Sequence, residues 1–227
     1  MGKVIIQEDT CKNPIEMIGK YAGECWGADT TDPIKNKKRG ISCLNSEHGR
    51  TWEFPDVYMI LDGYSARVIR EWYTHIGGAP TRLQASTRYI NYKDFDYIIP
   101  PKILKNEYAR QVYIDTMCVI SENLQELEKM EIPREDSALL LPLGMTTKIA
   151  CKHNFRNLVD MSHQRMCTRA YWEYRELFKD LIEALSNYSE EWKILVDAFF
   201  MPKCEVYGFC TEEYGCGRKL KKEVKHI

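Results

Sequence analysis

The chain has no excess of either charge: among 227 residues, 32 lysines and arginines face 33 aspartates and glutamates. No global field therefore draws it toward nucleic acid or a membrane surface, and any anion site must be local. Long apolar runs are missing too. Stretches such as Ala138 to Leu143 are far too short to span a bilayer. The opening MGKVIIQEDTCKNP turns acidic before an apolar leader core can build up. The expectation is a cytoplasmic protein with no membrane partner. Neither G-x-G-x-x-G, G-x-x-x-x-G-K-[ST] nor G-x-S-x-G occurs, which removes the usual dinucleotide-fold, P-loop and hydrolase-elbow readings. His48, His75, His153, His163 and His226 lack H-x-x-x-H spacing, so no catalytic metal is expected. With no Pro/Gly/Ser-rich linker and no internal repeat, one domain is favoured.

Nine cysteines are present, an odd number spread through the chain, which reads as reduced thiols rather than a disulfide framework. The last three, Cys204, Cys210 and Cys216, recur at C-x5-C-x5-C in a basic tail, residues 204–227, set apart from a main domain at 1–203. That spacing is wider than the C-x2-4-C pairs of structural zinc, and a thiol-rich packed tail is the competing account.

Periodicity supplies the elements. Ile15, Ile18, Tyr21, Ala22 and Cys25 predict a helix from Pro14 to Trp26, capped by Asn13 and ended by Gly27. Residues 28–50 read as a long surface loop. Val57 to Leu61 predicts a buried strand, Asp62-Gly63 a turn, and Ser65 the cap of a helix to about Thr74. Gly77-Gly78-Ala79-Pro80 breaks it, and Thr81 to Tyr89 follows as a polar loop. Tyr89–Tyr92 and Phe95–Ile99 read as strands or extended edges. Lys102 to Met130 keeps helical spacing as one long core helix, and Pro133 starts another. Met145 to Cys151 predicts a strand, Asn154 caps a helix into Arg165, and Ala170 to Phe199 continues helical. The class is α+β with helices dominating.

Two segments concentrate anion-binding groups. The loop TRLQASTRY combines Arg82, Ser86 and Arg88, so a hydroxyl, backbone N–H groups and a guanidinium fork can converge on a phosphate; a solvated surface loop has the same composition. Lys148, Asn154, Arg156, Asp160 and Arg165 form the second, where capping and surface ion pairs are the plain alternative. Asn154, Asp160 and Arg165 lie six and five apart and cannot share one helix face, which weakens a single-site reading from spacing.

At these segments the sequence resembles the flavin-dependent thymidylate synthase (ThyX) family, whose signature runs R-H-R, a spacer, then N-E-x-S-x-R-Y after a helix ending R-Q-W. Here Arg70-Glu71-Trp72-Tyr73-Thr74-His75-Ile76 takes the first part and Leu83-Gln84-Ala85-Ser86-Thr87-Arg88-Tyr89 the second, with about two extra residues in the Gly-Gly spacer. Ile132-Pro133-Arg134-Glu135, Leu141-Pro142-Leu143, Asn154-Phe155-Arg156, Arg165 and Trp172-Glu173 match further landmarks in order. The resemblance runs from about residue 13 to about residue 200 and leaves the tail outside.

The resemblance implies a single α+β domain with a central, mainly antiparallel sheet and long helices. It implies an enzyme that makes dTMP from dUMP, with FAD, methylenetetrahydrofolate as carbon donor and NADPH as reductant, in a homotetramer with shared sites. The family forms no covalent bond between enzyme and uracil, so flavin hydride performs the final reduction. Carried over by position, Glu71, Thr74, Gln84, Ser86, Thr87, Arg88, Lys148 and Arg165 go to dUMP, and Arg165 is the catalytic cation that favours ionisation at uracil N3. Thr74, His75, Ile76, Arg82, Gln84, Asn154, Arg156 and Asp160 go to FAD. Departures are specific: Thr74 and Ile76 replace both arginines of R-H-R, Gln84 a glutamate, Asp160 an asparagine, and Lys148 an arginine whose fork it lacks. The family's H-x-T-x-x-E-H segment is only echoed by His48-Gly49-Arg50-Thr51. Arg82, from the lengthened spacer, is expected to restore part of the lost charge. The altered signature keeps open a flavin- and folate-dependent methylase or hydroxymethylase of another pyrimidine nucleotide. A non-catalytic nucleotide- or RNA-binding module, using the basic loops and the Arg218–Lys222 segment, is the reading from another class; the enzyme reading carries no nucleic-acid partner.

Overall fold

The computed structural model describes residues 2–221; the end of the expected basic tail, with Lys222 and His226, lies outside the described residues. In chain order the elements are β1 (Lys3–Ile6), α1 (Pro14–Cys25), α2 (Pro33–Asn45), β2 (Asp56–Ser65), α3 (Ala66–Trp72), β3 (Thr81–Gln84) and α4 (Pro101–Leu104). They continue with α5 (Glu107–Lys129), α6 (Arg134–Ser137), β4 (Thr146–Asn154), α7 (Phe155–Arg165), α8 (Trp172–Tyr188), α9 (Glu190–Phe199) and α10 (Lys203–Tyr207). The strands hydrogen-bond in the order β1-β2-β4-β3, and the mixture of helices and sheet is the expected α+β class.

The chain divides into two compact units, each assembled from separate stretches. One holds Leu61–Thr74 and Arg82–Ala150 with the first residues of the chain; the other holds Val4–Ile60, His75–Thr81 and the chain from Cys151 on. The first unit packs Phe95, Met117, Leu124 and Met145 together, with Tyr97, Tyr113 and Ile120 against them. The core of the second includes Ile15, Ile18, Phe155, Leu158, Tyr174, Phe178 and Trp192, all fully buried or nearly so. Burying one such side chain stabilises a fold by about 1.5–3 kcal/mol.

Several expectations are corrected. Residues 28–50 are not a loop: Asp32 caps α2 by accepting from Ile34 N at 2.9 Å and Lys35 N at 3.2 Å, with proline in the first turn. Its inward face is small or polar until the last turn, with Asn36, Gly40 and Cys43 buried ahead of Leu44, so apolar periodicity could not reveal it. Small residues are required because α1 and α2 cross backbone to backbone: a Cβ on Gly19 would stand 1.8 Å from Asn36 O, and one on Gly40 2.0 Å from Ile15 O. Asn13 does not cap α1 through its side chain. Instead the buried carboxylate of Glu191 on α9 accepts from Ile15 N at 2.8 Å and Glu16 N at 3.2 Å, and pairs with Lys37 at 3.0 Å.

In the other unit the strand predicted to turn at Asp62-Gly63 runs on to Ser65, because Gly63 takes φ +77 without a Cβ to clash. Thr81–Gln84 is strand β3 rather than loop, with Ala85 N donating to Lys148 O at 2.8 Å just beyond it. Tyr89–Tyr92 and Phe95–Ile99 form no strand; Tyr97 makes an isolated antiparallel bridge to Met145. The helix predicted from Lys102 to Met130 breaks at Lys105-Asn106, where the Asn106 side chain accepts from Ala109 N at 3.0 Å and caps α5. Nor is α5 a core helix: only Met117 and Leu124 are buried among its residues. The helical stretch after Ala170 divides at Ser189, whose hydroxyl accepts from Trp192 N at 3.2 Å to start α9.

Gly40→Ala should lower the thermal midpoint by several degrees, a cost of about 1–3 kcal/mol for overpacking. Gly27→Ala, at φ +60 but with nothing within 4 Å of its Cβ, should cost less. Equal midpoints for the two variants, read by circular dichroism, would contradict the close crossing.

Candidate functional site

Helix α7 organises the residues of the second unit. β4 ends at Asn154, which keeps extended backbone (φ −76, ψ 161) while its side-chain oxygen accepts from Asn157 N at 2.8 Å. That is the predicted N-cap, and it is buried. Phe155, Leu158, Val159, Met161 and Ser162 face inward, so Arg156 and Asp160, four apart, share the exposed face. A Cβ on Gly78 would lie 2.2 Å from the Asn154 amide nitrogen, and Gly78 has φ +69. The Gly-Gly spacer can pass over the cap only as glycine.

The helix delivers Arg165 at its C-terminal end, where the macrodipole favours a cation. Arg165 Nε donates to His75 Nε2 at 2.9 Å, and its guanidinium carbon lies 4.7 Å from the centre of the Tyr174 ring. Because Nε2 accepts, the neutral His75 ring carries its proton on Nδ1. Two predicted residues, ninety positions apart in sequence, thus meet. Arg156 pairs with Glu53 at 2.7 Å. Asp160 and Arg165 line one cavity of about 680 Å³, so the spacing that set them on different faces did not keep them apart. His163 lines the same cavity; burial pushes its imidazole below its ordinary value, against an opposing pull from Asp160. Ile76 is exposed.

In the first unit the predicted nucleotide residues lie near β3 and β4. Arg82 donates to Trp72 O at 3.3 Å and Tyr73 O at 3.0 Å and stacks on the Tyr73 ring at 4.7 Å, clasping the C-terminal end of α3. Gln84 donates to Thr147 Oγ1 at 3.4 Å. The Ser86 hydroxyl accepts from Arg88 N at 3.2 Å, and Arg88 Nε reaches Glu135 at 2.9 Å. Thr87 lines a small neighbouring cavity of about 30 Å³. Lys148 pairs with Asp62 at 3.0 Å. Thr74 Oγ1 donates to Glu71 O at 2.7 Å, and the Glu71 carboxylate stands 4.0 Å from Arg67.

Sequence reasoning missed the carboxylates. Glu53, Glu135 and Asp62 hold Arg156, Arg88 and Lys148, and Tyr174 and Tyr73 carry Arg165 and Arg82. Glu135 and Arg88 are 47 positions apart and Glu53 and Arg156 are 103 apart, so no local spacing could have announced either pair. Among the described residues, no three His, Cys, Asp or Glu side chains gather as a metal site, and no helix is long and apolar enough to cross a membrane.

A family model described as thymidylate synthase complementing protein, Thy1, matches residues 8–188. The chain belongs to this family. Among its curated relatives, the flavin-dependent thymidylate synthase of Nitratidesulfovibrio vulgaris is 26% identical over 213 residues, covering 87% of this chain and 84% of the relative. That of Pyrococcus furiosus is 28% identical over 236 residues, covering 95% and 94%. Two solved structures share the fold. ThyX from Helicobacter pylori, crystallised with FAD and dUMP, has a TM-score of 0.65 at 18% identity, covering 86% of this chain and 99% of that one. The UMP/dUMP methylase PolB of Streptomyces cacaoi, bound with 5-Br dUMP, has a TM-score of 0.69 at 15% identity, covering 88% and 96%. The match places the chain among flavin-dependent thymidylate synthases, as its two motif segments had suggested.

The lowered His163 value gives this family member a pH signature. Below the free imidazole range the unfolded chain takes up a proton that the folded one resists, so stability falls as pH drops from about 7.5 to about 5.5. His163→Gln should narrow the difference in melting temperature between those two conditions. An unchanged difference would remove His163 from the account.

Proposed function

We propose that the chain converts dUMP to dTMP in the cytoplasm as a homotetramer with shared sites, using FAD, methylenetetrahydrofolate as carbon donor and NADPH as reductant. The observation that carries this reading is the hydrogen bond from Arg165 to His75, which joins the altered R-H-R segment to the second motif.

FAD brings a diphosphate and a flavin edge rich in acceptors, and it supplies hydride chemistry when bound. The donor set suits it: His75 is an imidazole, Arg156 is exposed, and its remaining N–H groups extend beyond the bond to Glu53. Asp160 puts carboxylate oxygens where the family has an amide donor, and it is the position that fits least. Asn154, Arg156, His75, Ile76 and Asp160, all of the second unit, would hold the cofactor; for Thr74, Arg82 and Gln84 the assignment rests on motif position alone.

For the substrate, Ser86, Thr87 and Arg88 are assigned to the dUMP phosphate with Lys148, and Glu71, Thr74 and Gln84 to the rest of the nucleotide. Arg88 meets the exposed carboxylate of Glu135 and Lys148 the half-buried one of Asp62; solvent reaches both pairs, and the Arg88 pair, as a surface ion pair worth about 0–1 kcal/mol, yields to a dianionic phosphate at little cost. The guanidinium of Arg165, held by His75 and Tyr174, favours the uracil that has lost its N3 proton, and the negative charge left on the ring makes C5 nucleophilic toward the methylene donor.

The tetramer reading draws on α5. Tyr108, Val112 and Val119 lie on this helix and are 81%, 48% and 52% exposed, an apolar stripe at helical spacing. Val112→Asp with Val119→Asp should shift the protein to smaller species in light scattering while leaving helix content intact. An unchanged mass would assign assembly to another surface.

The purified protein should be yellow. Arg165→Lys should retain the flavin spectrum and lower kcat by about a hundredfold, as for removal of one charge-stabilising donor. A colourless protein that added FAD cannot restore would overturn the proposal. A second reading, methylation or hydroxymethylation of another pyrimidine nucleotide, is kept as the alternative because PolB, a UMP/dUMP methylase, has the same fold, although the curated relatives do not favour it. Turnover of UMP or dCMP in preference to dUMP, with methyl and hydroxymethyl products resolved by mass, would select it.

A further inference from the structure

The chain beyond residue 188 lies outside the family match, yet part of it walls the cavity that Arg165 and Asp160 line. At about 680 Å³ this cavity is in the size range of small-molecule and cofactor pockets. One side belongs to the end of α7 and the residues after it; the other is the segment from Lys203 to Lys219.

Its lining is strongly cationic for a chain of net charge −1. Arg165, Arg169, Lys203, Arg218 and Lys219 line it, against the carboxylates of Asp160 and Glu212. Two of these cations already meet carboxylates: Arg169 stands 3.7 Å from Glu212, a loose pair, whereas Lys219 pairs closely with Glu205 at 2.8 Å. Tyr207 adds an aromatic face. It is 51% exposed, lines the cavity, stacks on Phe209 with centroids 5.7 Å apart, and lies beneath Lys203 at 5.3 Å.

The backbone holds this wall in place. Gly208 ends α10 in the left-handed region at φ +75, with no atom within 4 Å of where a Cβ would stand. Cys210 N then donates to Leu220 O at 2.8 Å, which closes the intervening residues into a loop carrying Arg218 and Lys219. The Cys216 thiol adds a tie to Thr168, across from the α7 side.

We propose that this cavity is a binding site for a nucleotide phosphate, with Lys203, Arg218 and Arg169 receiving the phosphate and the Tyr207 ring stacking on the heterocycle. Guanidinium and ammonium groups recognise phosphate, and an exposed aromatic face recognises any planar base. The proposal rests on the flavin-dependent reading for its candidate sources: a nicotinamide dinucleotide, the flavin nucleotide or dUMP. The phosphate chemistry is common to all three.

The test is calorimetric titration of the full chain with NADP+, NAD+, FAD and dUMP, for the unaltered protein and for Lys203→Gln/Arg218→Gln. Both substituted residues are exposed, and melting temperatures should be unchanged. Lys179→Gln, which removes a charge from the exposed face of α8, is the control. The expected result is a rise of about tenfold or more in Kd for at least one nucleotide, absent from the control, with a shallower salt dependence. The nucleotide affected names the source, and a loss for NADP+ but not NAD+ places the 2′-phosphate there. Tyr207→Ala should weaken the same ligand by about tenfold. Identical affinities for all four ligands, or a loss matched by Lys179→Gln, would overturn the proposal. Binding that is lost in the double variant of a protein that makes no dTMP would keep the cavity and discard the dTMP-forming reading; dTMP synthesis with unaltered affinities would do the reverse.

Discussion

The hydrogen bond from Asn157 N to the Asn154 side chain fixes where strand becomes helix, and most of the second unit's chemistry follows from it. An 11-residue helix is about 16 Å long, so a start displaced by one residue would turn every later side chain by about 100°. Arg156 would leave Glu53, and Arg165 would leave His75 and the Tyr174 ring. The cap is worth about 1 kcal/mol as a local interaction. Its larger consequence is geometric, because the Gly-Gly spacer folds against the same asparagine and thereby brings His75 within reach.

Cations in both units meet carboxylates before any ligand arrives. Lys148 with Asp62, Arg88 with Glu135 and Arg156 with Glu53 are all at least partly exposed pairs, and water screens each of them. A phosphate brings two charges and three acceptor oxygens, so it outcompetes a single exposed carboxylate without the protein having to bury an unpaired cation beforehand. A chain of nearly zero net charge can thus carry basic loops, because the compensating acids are local to them.

What was legible in the sequence was what local chemistry encodes. Asn154, Ser65 and the helix into Arg165 were read correctly because a cap and its first turn lie within a few residues. Arg165 and His75 were named from motif position, and only the fold could show that they touch. Helix α2 was missed because it buries asparagine, glycine and cysteine before its one buried large apolar residue, Leu44, which leaves no apolar stripe along its length. Helix α5 erred the other way: its apolar stripe is real, but Tyr108, Val112 and Val119 face outward, and periodicity cannot say what a stripe packs against. The cavity wall from Lys203 to Lys219 was seen as a tail because neither its spacing nor its composition marks the turn at Gly208.

Glu191 lies three residues past the end of the family match, yet it terminates the first helix of the chain by taking the amides of Ile15 and Glu16. Helices α1 and α9 are thus mechanically tied together. Trimming the protein to the matched segment would strip away Glu191 and with it the partner of Lys37, so fraying would begin near residue 14, on the far side of the sequence from the cut. In a crossing where Gly19 and Gly40 leave no slack, a frayed α1 also loses its hold on α2. Boundaries drawn from sequence similarity and boundaries set by hydrogen bonding differ here by about one helix.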